Sequence, residues 1–280
     1  MRELQCRDRR LELSVPVVMG VLNVTPDSFS DGGRYATAER ALARARELAR
    51  EGAAIIDVGG ESTRPRSSAV GPQVELKRVI PVIEAIVSEL NVIVSVDTSE
   101  PVVMSAAAAA GAHLVNDVRG LRRAGALEAV AAAGVGVCVM HMQGEPATMQ
   151  DHPSYGDVVR EVKDYLATRV ADCRAAGIPA DAIAVDPGFG FGKTLEHNLA
   201  LLTRLEELRD TGAALVVGLS RKSMIAKLTG RALEDRLPGS VAAAALAVEH
   251  GADIVRSHDV APTLDAIRIG AALRAEERLR

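Results

Sequence analysis

The chain has 280 residues, a hydrophobic content of 48% and a formal net charge of −4 at pH 7. This length can bury one large core or at most two domains, and the slightly acidic balance gives no support for nucleic-acid or membrane-surface binding. Cys6, Cys138 and Cys173 are odd in number and widely spaced, which argues against a disulfide framework or a cysteine metal site.

The N-terminus is charged and lacks the apolar segment of a secretory signal. No stretch approaches the roughly 18 apolar residues of a membrane span. We therefore expect a soluble, cytoplasmic protein without a membrane partner.

Short apolar runs alternate along the chain with helical patterns rich in Ala, Glu and Arg. Eight runs are predicted as buried strands: Val17–Leu22, Ala54–Val58, Val92–Val96, His113–Val115, Val135–Val139, Ile183–Val185, Leu215–Leu219 and Ile254–Val255. The helical patterns that follow them cover residues 37–51, 72–89, 100–110, 124–133, 155–176, 196–210, 239–250 and 262–277.

A glycine precedes five of these runs, at the point where a helix C-terminus favours a left-handed residue: Gly52, Gly111, Gly134, Gly212 and Gly251. The repeat is a βα unit, and eight units fit a (β/α)8 TIM barrel, which typically takes about 250 residues. A doubly wound open sheet is the alternative, but the even spacing favours closure. We predict one barrel domain over residues 1–280, with residues 1–14 as an extension at the barrel bottom.

Two βα connections are long, at residues 23–35 and 59–71. Loops of about 12–15 residues in a compact domain are usually lids or binding loops. Phe29 supports this interpretation for the first loop, because the chain has only three Phe and a loop is a poor place for one without a contact. Both loops are predicted to be lids over the barrel mouth.

Polar residues stand at the carboxyl ends of most predicted strands, where barrel enzymes carry their active sites. They are Asn23, Asp97, Asn116, His141, Asp186, Lys222, Arg256 and His258. Asp57 lies inside an apolar run and also fits a structural buried acid, and Ser95 is expected to pack inside the barrel. A barrel whose strand ends served stability alone would not need so many polar residues there. We therefore predict that these residues form a ring that binds a ligand or catalyses a reaction.

The ring contains carboxylates, an amide and a cation, which suit a planar heterocycle with a guanidine-like edge. Arg64, Arg256 and His258 form a basic set suited to phosphate or pyrophosphate. The histidines and cysteines are too scattered for a zinc site, whereas Mg2+ bridging a pyrophosphate would leave little trace in sequence. Residues 188–194 look like a phosphate-binding P-loop, but Pro187 occupies the position of its first glycine.

Several ordered motifs resemble the dihydropteroate synthase family, the bacterial folate-pathway enzymes that sulfonamides target. They are MGVLNVTPDSFSDGG at 19–33, DVGGESTRP at 57–65, Asp97-Thr98, Asn116-Asp117, MHMQG at 140–144, DPGFGFGK at 186–193, SRKS at 220–223 and His258-Asp259-Val260. The resemblance runs from about residue 17 to the last helix.

The resemblance implies that 6-hydroxymethyl-7,8-dihydropterin diphosphate is joined to 4-aminobenzoate with release of pyrophosphate, that Mg2+ is the cofactor, and that the protein is a homodimer. It assigns the pterin to Asp97, Asn116, Asp186 and Lys222, the pyrophosphate to Thr63, Arg64, Arg256 and His258, the aminobenzoate to Phe29, Pro65, Phe191 and Ser223, and Mg2+ to Asn23. The residues placed in catalysis are Asp97, Asp186, Lys222, Arg64 and Asp31, the last as a polar contact rather than a base.

The chain departs from the family pattern at Arg66, where Gly is frequent, and at Ala226. Arg66 is expected to alter the second loop or sulfonamide sensitivity, and Ala226 only helix packing. Two rival functions remain open at this point: a pterin-binding methyltransferase domain with a corrinoid partner, and a non-catalytic relative. The former would not need the two loops or the basic set, and the complete ring argues against the latter.

Overall fold

The computed structural model describes residues 2–25, 34–61, 70–145 and 148–277 of the chain. An antiparallel hairpin of β1 (Glu3–Cys6) and β2 (Arg9–Glu12) comes first. Eight parallel strands follow: β3 (Val17–Asn23), β4 (Ile55–Gly59), β5 (Ile93–Asp97), β6 (Leu114–Asp117), β7 (Gly136–Met140), β8 (Ile183–Asp186), β9 (Ala214–Gly218) and β10 (Ile254–Ser257).

The eight parallel strands form a closed barrel in the order β10-β3-β4-β5-β6-β7-β8-β9. In β10, Ile254 lies opposite Val17 of β3 on one side and opposite Val216 of β9 on the other. The predicted TIM barrel is therefore confirmed, and the open sheet is excluded.

Helices lie between the strands: α1 (Arg34–Arg50), α2 (Pro72–Glu89), α3 (Pro101–Ala109), α4 (Ala126–Ala133), α5 (Val158–Ala175), α6 (Leu195–Thr203), α7 (Ser223–Thr229), α8 (Leu237–Glu249) and α9 (Val260–Glu277). Their apolar faces pack on the outward side chains of the strands, as Val79 and Ile83 of α2 do in one cluster with Val58 and Val94. Because both faces of each strand are buried, the strands read as continuous apolar runs.

The junction glycines adopt the backbone that the sequence predicts. Gly52, Gly111, Gly134, Gly212 and Gly251 all have positive φ, between 64° and 111°. Each ends one helical segment before the next strand begins, which places the strands at regular intervals along the chain.

The predicted helix over residues 196–210 is wrong in its second half. The α-helix ends at Thr203, and a 3-10 helix covers Leu205–Thr211. Arg204 leaves helical geometry at φ −110° and ψ 27°, where its guanidinium pairs with Glu207 and Asp157. The pair with Glu207 is local, at i,i+3, whereas the pair with Asp157 joins residues 47 apart and leaves no periodic signal in sequence.

The hairpin closes the amino-terminal end of the barrel. Leu4, Cys6, Leu11 and Leu13 are buried against inward-facing strand residues such as Met19 and Ile55. This apolar group of hairpin and strand residues, the lower layer, fills the barrel bottom and matches the small element expected from residues 1–14. Among the described residues, no helix is both long and apolar enough to cross a membrane.

Candidate functional site

Above the lower layer, inward-facing strand positions become polar. Asp57 comes two residues after Ile55 on β4, and Arg256 two residues after Ile254 on β10. Residues two apart on a strand share a face, so the same row of side chains changes from apolar at the bottom to charged near the mouth. The polar strand ends read from the sequence are thereby brought to one end of the barrel.

Arg256 lies at the centre of a hydrogen-bonded network. Its Nε donates to Asp57 Oδ2 at 2.6 Å, and its Nη2 donates to Asp97 Oδ2 at 2.8 Å. Asn116 Nδ2 donates to the same Oδ2 of Asp57 at 3.0 Å. The four side chains come from β4, β5, β6 and β10, and together they form what we call the interior network.

Burial sets the charges in the interior network. Burial raises the pKa of Asp97 to about 7, an effect that Arg256 opposes and Asp57 strengthens. Burial alone would lower the pKa of Arg256, but the charges of Asp57 and Asp97 outweigh it and raise that pKa. Arg256 therefore stays cationic, and Asp97 titrates near neutrality.

Asp186 and Lys222 form a second pair of charges at the mouth. Asp186 Oδ1 accepts a hydrogen bond from the Gly188 backbone N–H at 2.7 Å, and burial raises its pKa while Lys222 opposes the shift. Burial lowers the pKa of Lys222 to about 8, and Asp186 opposes that shift in turn. Lys222 Nζ donates to the Phe189 carbonyl and lies 4.8 Å from the centroid of the Phe191 ring.

The glycine-rich segment after β8 is fastened by a buried lysine. Lys193 Nζ donates to the carbonyls of Gly188 and Phe191, each at 3.0 Å, and lies 2.9 Å from Nδ1 of His141. Burial lowers the pKa of Lys193 well below its usual value, and burial with the nearby Lys193 charge lowers the pKa of His141 to about 3. Lys193 thus has a structural role, because its ammonium bonds to the carbonyls of its own segment. This agrees with the rejection of a P-loop, whose lysine would contact phosphate.

Gly188 shows why this segment needs glycine. Its φ is +68°, and a Cβ there would lie 2.0 Å from the carbonyl oxygen of His141. A side chain would push the segment off β7 and displace the N–H that bonds Asp186.

The basic residues near the ends of β9 and β10 have different surroundings. His258 Nδ1 lies 3.0 Å from Ser220 Oγ, and its backbone carbonyl accepts from Arg44 Nη2 at 3.1 Å. Arg221 has φ +56° and makes two hydrogen bonds to Asp259, at 2.9 and 2.6 Å. Arg221 therefore holds the β9 and β10 ends together.

The remaining described candidates lie on the rim. Asn23 ends β3 beside Asp97: a Cβ added to Gly59 would be 3.7 Å from both Asn23 Oδ1 and Asp97 Oδ2. Ser223 begins α7 and is exposed, while Phe191 is half-buried beneath Lys222.

Six residues singled out from the sequence lie outside the described residues: Phe29, Asp31, Thr63, Arg64, Pro65 and Arg66. Of the described candidates, Asp97, Asn116 and Arg256 share the interior network, in which Arg256 contacts two acids. The sequence pattern left Asp57 open between the polar ring and a structural buried acid, and it assigned no ligand to Asp57 or Lys193. The inward alternation Ile55-x-Asp57 is the signal that could have indicated the former.

Comparison with known proteins places the chain in a pterin-binding family. Residues 19–258 match the family model described as pterin binding enzyme. The chain is 51% identical over 271 residues to dihydropteroate synthase of Escherichia coli K12, covering 96% of each chain.

Solved structures of dihydropteroate synthases are similar to this chain in both fold and sequence. A Yersinia pestis dihydropteroate synthase with a sulfonamide drug has a TM-score of 0.92 at 48% identity, covering 98% of this chain and 99% of that one. The Xanthomonas albilineans enzyme has been solved with 4-aminobenzoic acid (TM-score 0.91, 50% identity, 98% of each chain) and with 7,8-dihydropteroate (TM-score 0.88, 48% identity, 98% and 99%).

Proposed function

The chain belongs to the pterin binding enzyme family, and we infer from that premise that it catalyses the dihydropteroate synthase reaction. It condenses 6-hydroxymethyl-7,8-dihydropterin diphosphate with 4-aminobenzoate to give 7,8-dihydropteroate and pyrophosphate, a transferase step of folate biosynthesis. The observation that carries this conclusion is the near-full-length identity to dihydropteroate synthases, among them an enzyme solved with 7,8-dihydropteroate.

The pterin is proposed to bind to Asp97, Asn116, Asp186 and Lys222. Carboxylates accept hydrogen bonds from the N–H groups of a guanidine-like edge, and an amide can donate or accept. The Gly188 N–H fixes one oxygen of Asp186 at 2.7 Å, which leaves the second oxygen for a ligand N–H. The burial of Asp97 and Asp186 strengthens such contacts, because water competes less in a buried site.

The acids are also proposed to stabilise charge during the reaction. When the bond between the pterin methylene carbon and the diphosphate oxygen breaks, the electron pair leaves with pyrophosphate, and the methylene becomes a cation delocalised into the ring. The fixed negative charges of Asp97 and Asp186 would favour that cation. The amine of 4-aminobenzoate is mostly neutral at pH 7, so it can attack without a strong base and then lose a proton. Asp31 is proposed as a polar contact to the amine or cation.

Pyrophosphate is proposed to bind to Thr63, Arg64, Arg256 and His258, whose cationic groups would stabilise the leaving group. Lys222 would supply further positive charge beside Asp186. Aminobenzoate is proposed to lie against Phe29, Pro65, Phe191 and Ser223. Within the described residues, the Lys222 ammonium over the Phe191 ring supports one wall of that subsite.

Mg2+ is proposed to bind at Asn23. The described residues contain no group of three or more His, Cys, Asp and Glu side chains that could enclose a metal. The amide oxygen of Asn23 suits a hard cation that takes few protein ligands and completes its shell with water and substrate phosphates, as Mg2+ commonly does. The side-chain oxygen of Asn23 would hold it beside Asp97, and when bound it would offset the negative charge of the pyrophosphate.

We also propose that residues 1–280 form one pterin-binding domain and that the protein is a homodimer. The dimer proposal is supported by exposed apolar side chains on the last two helices: Leu246 on α8 is 51% exposed, and Ile269 and Leu273 on α9 are 62% and 56% exposed. Apolar exposure on neighbouring helices is typical of an association surface. The cytoplasmic location stays a prediction.

The function is tested by measuring pyrophosphate release from dihydropterin diphosphate and Mg2+, with and without 4-aminobenzoate. Release should depend on 4-aminobenzoate, and Asp186→Asn should lower kcat/KM at least roughly a hundredfold, since a fixed charge beside the developing cation is lost. Asp181→Asn is the matched control, because Asp181 is exposed just before the opposite end of β8.

Absence of release from a folded wild-type chain would contradict the proposed function. Release from Asp186→Asn at the wild-type rate would keep the enzyme activity but remove Asp186 from its mechanism.

A further inference from the structure

Asp57 is an acid inside the barrel to which the proposed function gives no role. It lies on β4 at 0% exposure, between the lower layer and the mouth. A buried carboxylate is costly unless it is paired and hydrogen-bonded, so its contacts indicate what it does.

One oxygen of Asp57 joins two groups with different proposed ligands. Asp57 Oδ2 accepts from Asn116 Nδ2 at 3.0 Å and from Arg256 Nε at 2.6 Å. Asn116 is proposed to contact the pterin and Arg256 the pyrophosphate. A single oxygen atom therefore holds one residue from each subsite.

The contact to Asn116 fixes the direction of its amide. A carboxylate oxygen that already accepts from a guanidinium can face only a donor, so the NH2 of Asn116 must point toward Asp57. Rotation of the amide by 180° would place its carbonyl oxygen against Asp57 and lose the hydrogen bond. Asn116 thus presents its carbonyl oxygen on its other side, as an acceptor for a heterocycle N–H.

The contact to Arg256 fixes the direction of its guanidinium. Nε is bonded to Asp57 and Nη2 to Asp97, so two of the five N–H groups are used in the interior network. Two carboxylates on neighbouring strands prevent the guanidinium from rotating about its long side chain. Its remaining N–H groups are thereby held in one orientation for an anion.

We propose that Asp57 is a positioning residue that orients Asn116 toward the pterin and Arg256 toward the pyrophosphate through one shared carboxylate oxygen. This inference rests on the proposed function. Through Asn116, Asp57 makes the pterin subsite select a ligand edge that carries N–H donors. Through Arg256, the same carboxylate also positions the group that binds the diphosphate. Loss of its carboxylate therefore weakens the binding of both ligands, through Asn116 and Arg256.

Ser95 offers a matched control for a merely structural role. It lies opposite Asp57 in the β4–β5 register, is likewise 0% exposed, and its Oγ has no hydrogen-bond partner among the described residues. Ser95→Ala changes an interior polar side chain beside Asp57 without removing a bond to Asn116 or Arg256.

The test is calorimetric binding of two separate probes, 6-hydroxymethylpterin and inorganic pyrophosphate with Mg2+, to wild type, Asp57→Asn and Ser95→Ala. In Asp57→Asn we expect each Kd to rise at least tenfold, because the asparagine can face Asn116 with either end and loses the charge that holds Arg256. The KM for 4-aminobenzoate at saturating pterin diphosphate should change less than twofold. Ser95→Ala should bind both probes within twofold of wild type.

Circular dichroism shows whether each variant is folded, and Asp57→Ser, which removes the charge with a smaller side chain, replaces Asp57→Asn if that variant does not fold. A folded Asp57 variant that binds both probes within twofold overturns the proposal. So does a loss confined to one probe, or an equal loss in Ser95→Ala. If the wild type itself binds neither probe and releases no pyrophosphate, it is the proposed function that fails.

Discussion

The pKa of Asp97 is set by neighbouring groups with opposite effects. Arg256 favours its ionised form, whereas burial and the nearby carboxyls of Asp57, Glu75 and Asp117 favour its protonated form, and the pKa rises to about 7. Lys222 has a pKa lowered to about 8. The proposed mechanism requires Asp97 ionised to stabilise the cation and Lys222 protonated to supply positive charge beside Asp186, which gives a narrow pH window.

We therefore expect kcat/KM to rise as pH increases through about 7, where Asp97 loses its proton, and to fall above about 8, where Lys222 loses its own. The measurement is the pH–rate profile of pyrophosphate release. Lys222→Arg should move the alkaline limb to higher pH, because Arg stays charged.

Glu75 is the control for the acid limb. It is fully buried on α2, and burial raises its pKa to about 7 as well. Glu75→Gln should retain the acid limb and move it to lower pH, because the Glu75 charge that raises the pKa of Asp97 is lost. A limb that disappears in Glu75→Gln would mean that the wrong carboxyl has been assigned.

Lys193 holds the glycine-rich segment in place through buried hydrogen bonds. Its loss should lower both the unfolding free energy and the affinity for pterin. Lys193→Met removes a donor from the carbonyls of Gly188 and Phe191, of which Gly188 keeps the Phe191 N–H, and this should cost about 2 kcal/mol of unfolding free energy. Pterin affinity should fall at least tenfold, because Gly188 positions Asp186. Lys227→Met, an exposed lysine on α7, should stay within about 0.5 kcal/mol in urea denaturation.

The sequence could predict the polar strand ends, because position along a barrel strand decides which residues reach the mouth. It could not predict which of them bond to one another. The assignment of Arg256 to a separate basic set illustrates the limit: its partners Asp57 and Asp97 are 199 and 159 residues away in the chain. Such pairing depends on strand register, which is a property of the closed barrel.

At the scale of elements, the hairpin of β1 and β2 acts on stability without touching the chemistry. Leu4 is 0% exposed in the lower layer, at the end of the barrel opposite the mouth. Leu4→Ala should reduce the unfolding free energy by about 2–5 kcal/mol through lost burial and a cavity, with unchanged KM values. Urea denaturation checks the first and steady-state kinetics the second. Val15→Ala, at a site 58% exposed, should have little effect on either.

The elements themselves were largely predictable, because short apolar runs and helix-ending glycines depend on local sequence. The helix predicted over 196–210 failed for the opposite reason. Arg204 leaves helical geometry where it pairs with Asp157, 47 residues earlier in the chain. Arg204 also pairs locally with Glu207, but only the folded chain brings Asp157 to it, and local propensity carries no information about that partner.

For the whole molecule, the expected outcome is a dimer through α8 and α9. Ile269→Asp places a charge on the most exposed apolar side chain of α9 and should shift a micromolar sample toward monomer in sedimentation velocity. Val102→Asp, on α3 at 47% exposure, should leave the distribution unchanged. A wild-type chain that sediments as a monomer would remove the basis for this prediction.

Barrel closure also sets the order of events on the ribosome. One edge of β3 can pair with β4 soon after both are synthesised. Its other edge pairs with β10, where the partner of Val17 is Ile254, more than 230 residues later in the chain. At about 5–20 residues per second, that wait is about 12–50 s of translation. For this time an apolar strand has one unsatisfied edge, which is the kind of surface that seeds aggregation. We therefore expect the growing chain to need shielding of this edge until its final strand emerges.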